Sequence, residues 1–471
     1  MTRASDTERL RACIREAIPQ NLFDNPVEPN LIYVPETHWK ALVPGRALVI
    51  GDRGTGKTFW WEALASARGP SLLSLLSADT RAESAFDVRV AFGAKPVDAF
   101  TPPGKDTLIA LFRERPARAV WKTFLMAQAT PEVLAFSTLW SERVRWVTDN
   151  PEASDMALGA LDRSLTKEGR QMLLLFDAID SALVRWDDLV GIHRELFGLL
   201  LDLRALRSIR AKAFVRRDVM EDPAVMRFPD ASKPRTAAVE LQWSRADLYG
   251  LLWHYLANGS ATSDSFRALR RGWRESLPGT WDVPRALRED ERAQADLWHE
   301  LAGEWMGANE RKGDTWSWLI NHLADAFGRV SPRSFLTAVR VAAERTPPSE
   351  AFPIHHTAIW EGVREASAIR AREIGEDFPW MKFAFEALEG LLVPCPVEAM
   401  LKEWVGVSLA ARLDADDSAR RRRSHGQDLR ALVDELVALG VVQRLRDGRI
   451  NVPDVYRLGF GMRRKGGVRP R

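Results

Sequence analysis

The sequence predicts an α/β core with a parallel sheet, followed by a helical domain and a small C-terminal domain of three helices and a hairpin. Over the first half of the chain, short apolar runs alternate with helical periodicity, which is typical of strand–helix–strand units. From about residue 240 the apolar spacing is almost entirely helical. Near the C-terminus, Asp447-Gly448 separates two short apolar runs, which is a hairpin signal. We expect a lead-in at 1–46, a core at 47–239, a helical domain at 240–375 and the last domain at 376–471.

Length and composition agree with a folded protein of several domains. A chain of 471 residues is too long for one ordinary core. The net charge of +3 is too small for bulk charge to bind polyanions. No apolar run is long enough to span a membrane, and residues 1–20 lack a signal-peptide core. The sequence therefore predicts a cytoplasmic protein with no membrane partner. Cys13 and Cys395 lie too far apart to suggest a metal-ligand motif.

The first predicted strand, 47–50, runs directly into a phosphate-binding motif. The motif has the form G-x-x-x-x-G-K-T, and its residues are Gly51, Asp52, Arg53, Gly54, Thr55, Gly56, Lys57 and Thr58. Its glycines let backbone amides face phosphate oxygens, the lysine reaches the β- and γ-phosphates, and the threonine hydroxyl ligates Mg²⁺. A helical pattern follows at once, so its positive dipole end faces the same anion. The predicted cofactors are ATP and Mg²⁺, with adenine favoured because no guanine-reading motif is visible.

Further strands are predicted at 86–92, 171–176 and 211–215, with helices at about 117–128, 134–147 and 187–205. The run 171–176 is continuously apolar and ends at Asp177, which indicates a central strand buried on both faces. We predict that this strand is adjacent to the first one and that Asp177 helps Thr58 to hold the metal.

The residue after Asp177 is Ala178, where many ATPases of this broad class have a glutamate that polarises water. Asp180 is the best local substitute, and it either orients water or caps the helix that follows. Arg216, at the end of the 211–215 strand, and Arg333, at the start of a later helix, are candidate catalytic contacts to the γ-phosphate. For both arginines the alternative is an ordinary ion pair.

In the second half of the chain, the apolar periodicity predicts helices at about 244–257, 263–275, 288–308, 314–327, 332–345 and 354–374. The last hundred residues predict helices at 379–391, 397–404 and 426–439, followed by the hairpin around Asp447-Gly448. Three helices and a hairpin in this order form the winged-helix pattern.

A winged helix places one helix in a DNA groove and its hairpin near the backbone. Candidate phosphate contacts are Arg420, Arg421, Arg422, Arg423, Arg430, Arg444, Arg446 and Arg449. Winged helices also dock proteins, and Asp428, Asp434 and Glu435 would oppose a phosphate surface. The basic tail from Phe460 is either a flexible arm or an ordered docking peptide.

The order of Gly51–Thr58, Leu173–Asp180, Phe214–Asp218 and Ser331-Pro332-Arg333 resembles AAA+ and STAND-type ATPases. It is also similar to prokaryotic KAP-like relatives, which often show an Asp-x-x-Asp variant after the second strand motif. The resemblance covers roughly residues 20–345. It implies a P-loop NTPase core, a helical lid and often a C-terminal winged helix, a layout shared with origin-recognition-type initiators and bacterial defence ATPases.

The sequence thus leaves three functional hypotheses. The first is a switch ATPase that regulates an effector protein, as in antiviral defence. The second is a DNA-binding loader or initiator, and the third is a scaffold that binds ATP without hydrolysing it. Arg207 and Arg210 raise the further hypothesis of a homo-oligomer, in which they reach a neighbouring subunit.

Overall fold

The computed structural model describes residues 3–20, 28–66, 69–70, 72–73, 86–93, 95, 101–181, 185–423 and 427–465. The chain divides into two compact units. One, which we call the sheet unit, comprises Thr37–Asp52 and Gly56–Leu241. The other, the helical unit, comprises Met1–Glu36, Arg53–Thr55 and Gln242–Arg471. The boundary therefore falls inside the predicted phosphate loop, whose tip belongs to the helical unit.

The sheet unit contains a parallel sheet, which confirms the predicted α/β class. Among the described residues its strands are β1 (Leu48–Gly51), β2 (Phe86–Phe92), β3 (Gln171–Phe176), β4 (Ile209–Arg216) and β5 (Val239–Glu240). Their order is β2-β3-β4-β1-β5, and each neighbouring pair is parallel. Residues 172–176 are buried, as a strand covered on both faces requires.

The sheet corrects one prediction. We expected the strand that ends before Asp177 to lie beside the strand that enters the phosphate loop, but β4 lies between β3 and β1. Strands are about 4.8 Å apart, so β3 is two strand spacings from β1. Strand order is set by long-range packing, and local apolar runs in the sequence carry no information about it.

Helices cover the sheet. They include Trp39–Leu42, Lys57–Ala65, Lys105–Glu114, Ala117–Ala129, Trp140–Asp149, Pro151–Glu168, Trp186–Asp202, Arg217–Met220 and Ser232–Ala237. The predicted helix at 134–147 is wrong in its first part, because Pro131–Leu134 is a 3-10 turn and the helix begins at Trp140. The helices at 105–114 and 151–168 were not predicted.

A buried lysine connects β4 to the segment before β1. Lys212 is completely buried, and its ammonium donates to the carbonyl oxygens of Ala41 (2.6 Å), Val43 (3.0 Å) and Arg46 (2.7 Å). Burial lowers the pKa of Lys212 to about 7. The three hydrogen bonds fix the approach of the chain to the first strand.

Replacing Lys212 with methionine should destabilise the sheet unit by about 3 kcal/mol, because three carbonyls lose their buried donor. The free energy of unfolding in urea measures this change. Lys40→Met is the matched control, since Lys40 is exposed in the same unit, and its stability should be that of the wild type. Equal stability of both variants would contradict a structural role for Lys212.

The helical unit is built around an apolar core to which the N-terminal helix contributes Cys13, Ile14 and Ala17. Its helices are Arg3–Ala17, Arg245–Asn258, Ser263–Arg267, Arg285–Glu289, Glu291–Ala302, Thr315–Leu323, Pro332–Arg345, His356–Asp377, Pro379–Glu386, Val397–Gly406, Leu409–Ala415, Leu429–Ala438 and Asp454–Arg457. Gly362 lets helix 356–377 approach helix 332–345, because a Cβ there would lie 2.2 Å from the Ala338 carbonyl oxygen.

The predicted helix at 263–275 is wrong beyond Arg267. The chain instead forms an antiparallel hairpin from Arg274–Leu277 and Thr280–Asp282. Pro278 and Gly279 form its turn, and Gly279 has φ 76°, a conformation that glycine adopts without strain. The Pro-Gly pair was the local signal for this turn.

The C-terminal part of the helical unit has the predicted winged-helix order. Helices 397–406 and 429–438 frame an additional helix, 409–415, and strands Gln443–Arg444 and Ile450–Asn451 form the hairpin. Arg463–Arg464 pairs in parallel with Leu392–Val393, so the tail is ordered through Lys465. Among the described residues, no helix combines the length and the apolar character needed to cross a bilayer.

Candidate nucleotide-binding site

The phosphate loop joins the end of β1 to a helix. The strand ends at Gly51, and the helix Lys57–Ala65 begins five residues after Asp52. Gly54 and Gly56 have φ values of 80° and 102°, which side-chain-bearing residues rarely adopt. Alternation of such residues with ordinary ones turns successive amides toward one concave side, which suits an anion.

Lys57 is held at the base of the loop. Its ammonium donates to the carbonyl oxygens of Gly51 (2.9 Å) and Asp52 (2.8 Å). Burial lowers the pKa of Lys57, and the charges of Asp177 and Asp180 act in the opposite direction. Lys57 is partly buried by surface exposure, and Asp177, Asp180 and Arg216, which the sequence predicted for the site, are among the charges that act on it.

Asp177 follows β3 and is almost fully buried, with 3% of its surface exposed. The Thr58 hydroxyl, the Lys57 charge and the Ala178 amide each lower the pKa of its carboxyl group. Burial outweighs these contacts and raises the pKa of Asp177 to about 6. The structure thus brings Lys57, Thr58 and Asp177 together.

The residues present fit a magnesium ion. Mg²⁺ prefers oxygen ligands and is held by few protein groups together with phosphates and water. Thr58 and Asp177, a hydroxyl and a carboxylate close enough for the hydroxyl to lower the pKa of the carboxylate, supply such a pair. Among the described residues there is no cluster of three or more histidine, cysteine or carboxylate side chains that would form a site from protein ligands alone. When bound, the metal would neutralise charge on the phosphates.

Asp180 and Arg216 form one network at the ends of β3 and β4. Arg216 donates two hydrogen bonds to Asp218, at 3.0 and 2.7 Å, and one to Asp180 at 3.3 Å. The helix that follows begins at Trp186 with Arg185 at its N-cap. Asp180 therefore does not cap that helix but pairs with Arg216, and its role in orienting water stays a prediction.

Replacing Asp180 with asparagine should lower the rate of ATP hydrolysis about 100-fold if the carboxylate positions water, while the ATP dissociation constant stays unchanged. Steady-state turnover and equilibrium titration measure the two quantities. Asp188→Asn is the control, because Asp188 is exposed on the next helix. A rate equal to that of the wild type would reduce Asp180 to a partner of Arg216.

Ala178 occupies the position after Asp177 in a left-handed conformation, with φ 54°. This conformation costs a residue with a Cβ about 1–2 kcal/mol, and such strain is concentrated at functional sites. The turn it produces starts the 3-10 segment Ile179–Ser181 that carries Asp180.

The two residues after Gly51 are held in different units. In the sheet unit, Asp52 accepts from Arg217 Nε at 3.3 Å, and Arg217 also pairs with Glu240. In the helical unit, the Arg53 guanidinium pairs with Glu376 and Asp377.

Arg333 also belongs to the helical unit, where it pairs with Glu373. Its Cβ is 4.0 Å from the position that a Cβ on Gly54 would take. Arg333 therefore lies close to the loop tip, while its role toward a γ-phosphate remains a prediction.

The candidate DNA contacts lie in the helical unit, and many already have acidic partners. Ion pairs join Arg420 to Asp417, Arg422 to Asp414, Arg430 to Glu398, Arg444 to Asp434 and Arg449 to Asp447. The side chains of Arg430, Arg444 and Arg449 are nevertheless 67%, 43% and 49% exposed. Phosphates would have to compete with the neighbouring carboxylates. The remaining candidates are Arg421, Arg423 and the exposed Arg446.

Sequence reasoning did not predict several contacts around the site. Asp218 directs Arg216, and Arg217 holds Asp52. His193 is buried near Asp180 and Asp218, and its Nδ1 donates to the Leu189 carbonyl at 2.7 Å. The charges in Arg216-Arg217-Asp218 at a strand end were a usable signal, whereas His193 lies on a helix with no distinguishing pattern.

Comparison with known proteins yields structural likenesses only, since no protein-family profile and no curated protein sequence matches this chain. The ORC2 protein of Aeropyrum pernix, solved in ADPNP and ADP complexes, matches at 15% identity and TM-score 0.41, covering 93% of this chain and 95% of its own. The ORC1 protein of the same organism, solved with DNA, matches at 16% identity and TM-score 0.37, covering 95% of this chain and 94% of its own. Cdc6p from Pyrobaculum aerophilum matches at 13% identity and TM-score 0.33, covering 92% of this chain and 95% of its own. With identities and TM-scores this low, none of the residue assignments rests on these likenesses.

Proposed function

We propose that this chain binds Mg²⁺ and ATP at Gly51–Thr58 and hydrolyses ATP as a nucleotide-dependent switch of the AAA+ type. The observation that supports it is the convergence of Lys57, Thr58 and Asp177 at the carboxyl ends of parallel strands. Ligands of open parallel sheets bind at this edge. In this proposal Lys57 contacts the phosphates, Thr58 and Asp177 hold the metal, and Asp180 and Arg216 act near the γ-phosphate.

The test is release of phosphate from ATP by the purified chain, with and without Mg²⁺. We expect turnover with the metal and none without it, and faster turnover of ATP than of GTP. ATP that is retained but never cleaved would instead favour the scaffold hypothesis, to which Ala178 at the usual glutamate position already points. Activity that is independent of Mg²⁺ would contradict the assigned site.

A second candidate function is that of a DNA-binding loader or initiator. It is supported by the exposed arginines of the winged-helix part, which include Arg430, Arg444 and Arg446. DNA that stimulates hydrolysis, with binding that weakens steeply as salt increases, would favour this function. Co-purification with an effector and no response to DNA would favour the regulatory hypothesis. The defence setting, a homo-oligomer and the four-part domain division stay predictions.

A further inference from the structure

The carbonyl oxygens at the tip of the phosphate loop are held by side chains of the helical unit. The carbonyl of Arg53 accepts from Arg370 Nη1 at 3.1 Å, that of Gly54 from the Ser331 hydroxyl at 3.2 Å, and that of Thr55 from Trp243 Nε1 at 2.8 Å. Three successive peptide units are therefore fixed by three side chains that lie far apart in the sequence.

Fixing these carbonyls also fixes the amides that would bind phosphate. In a planar trans peptide, the C=O of one residue and the N–H of the next point in opposite directions. Holding the carbonyls of residues 53–55 therefore points the amides of residues 54–56 away from their carbonyl partners. Amides that are already oriented do not have to reorganise when an anion binds, so binding carries no free-energy cost for that step.

The side chain of Arg53 reinforces this arrangement. Its guanidinium pairs with both Glu376 and Asp377 at the end of helix 356–377, the same helix that carries Arg370. Gly54 leaves no spare room, since a Cβ there would lie 2.4 Å from the Ser331 hydroxyl oxygen. We call Trp243, Ser331, Arg370, Glu376 and Asp377 the loop-tip cluster.

We propose that the loop-tip cluster sets nucleotide affinity by positioning the amides of residues 54–56, and that nucleotide binding in turn stabilises the end of helix 356–377. The inference rests on the proposed function, because it concerns the same phosphate loop. Trp243, Ser331 and Arg370 are positioning residues, since their contacts are to the loop backbone. Coupling between two parts of a protein is reciprocal in binding free energy, so an ordered loop must also order the helix.

Helix 356–377 also reaches the C-terminal part of the helical unit. It packs against the short helix 454–457, and Arg372 and Gly375 line a cavity of about 720 Å³ together with Phe385 and Phe460. The cluster thus gives the nucleotide a physical connection to the winged-helix part through one continuous helix.

Two variants test the positioning role in the full chain. Trp243→Phe keeps an aromatic ring but removes the donor to Thr55, and Ser331→Ala removes the donor to Gly54. One lost hydrogen bond is worth about 1 kcal/mol, so we expect each variant to bind Mg·ATP about fivefold more weakly, with unchanged turnover at saturation. Trp360→Phe is the matched control, because Trp360 is 41% exposed and the donors to the loop carbonyls are Trp243, Ser331 and Arg370.

The outcomes separate the two proposals. If the wild type binds Mg·ATP and both variants bind it equally well, the positioning role is wrong and the nucleotide site stands. If the wild type itself does not bind Mg·ATP, the proposed function is wrong, and the positioning role is wrong as well. Thermal melting of the unliganded variants identifies any affinity loss that reflects unfolding.

Hydrogen exchange tests the reciprocal effect. Mg·ATP should slow amide exchange over residues 370–377 in the wild type but not in Trp243→Phe at the same degree of saturation. Helix 291–302, which contributes nothing to the cluster, should exchange equally with and without nucleotide. Equal exchange of residues 370–377 in both states of the wild type would overturn the coupling.

Discussion

Replacing Lys57 with alanine should weaken Mg·ATP binding about a hundredfold or more and abolish hydrolysis. The lysine is a partly buried cation at the base of the loop, and its ammonium donates to the carbonyls of Gly51 and Asp52. Removing one member of a desolvated charge pair costs about 2–5 kcal/mol. A triphosphate in the Lys57→Ala protein would meet the carboxylates of Asp177 and Asp180 without the compensating charge.

Equilibrium titration with Mg·ATP measures this effect. Lys40→Ala is the control, because Lys40 is an exposed lysine of the same unit and its loss should leave affinity unchanged. Wild-type affinity in Lys57→Ala would show that the loop is not the phosphate site. Circular dichroism of the unliganded protein separates loss of binding from loss of fold.

Replacing Asp177 with asparagine should reduce hydrolysis about a hundredfold or more and move the Mg²⁺ requirement to higher concentration. The substitution keeps the size of the side chain but removes the negative charge that the cation needs. The Thr58 hydroxyl and Ala178 amide can still donate to the remaining carbonyl oxygen. Initial rates across a magnesium titration measure both changes.

The same substitution should raise stability. Burial raises the pKa of Asp177 from 3.8 to about 6, so the folded protein binds this proton more tightly than the unfolded chain. Stability contributed by the group is lost as pH rises from about 4 to about 6, and above pH 6 the buried charge is a net cost. At pH 8 we expect the free energy of unfolding of Asp177→Asn to be about 1–3 kcal/mol larger than that of the wild type.

Asp162→Asn provides a contrast for Asp177. Asp162 is a buried carboxylate of the sheet unit that accepts from the backbone amides of Arg207, Ser208 and Ile209. Its replacement should lower stability without shifting the magnesium requirement. If Asp177→Asn behaved like Asp162→Asn, losing stability and keeping the magnesium midpoint, Asp177 would be a structural residue.

Features encoded locally were the ones that sequence could predict. Strands 86–92 and 171–176 and helix 332–345 have the predicted bounds, because each has a clear period or a continuous apolar run. The phosphate motif is equally local. Its neighbourhood in the structure contains the predicted Asp177, Asp180 and Arg216.

Features set by distant contacts could not be predicted in this way. The insertion of β4 between β1 and β3 depends on packing of the whole sheet. The partner of the Thr55 carbonyl, Trp243, is 188 residues away, and Asp377, the partner of Arg53, is 324 residues away. No spacing within a window of the sequence connects such pairs. The local error at 263–275 differs in kind, because Pro278-Gly279 is a turn signal that the sequence itself contains close to the end of the predicted helix.

Binding of a triphosphate at Gly51–Thr58 is the premise of every function proposed for this chain. Calorimetric titration of the purified full chain with Mg·ATP tests this most directly. We predict saturable uptake of one nucleotide per chain that disappears in Lys57→Ala and persists in Lys40→Ala. A wild-type protein that is folded and takes up no nucleotide at any accessible concentration would contradict it.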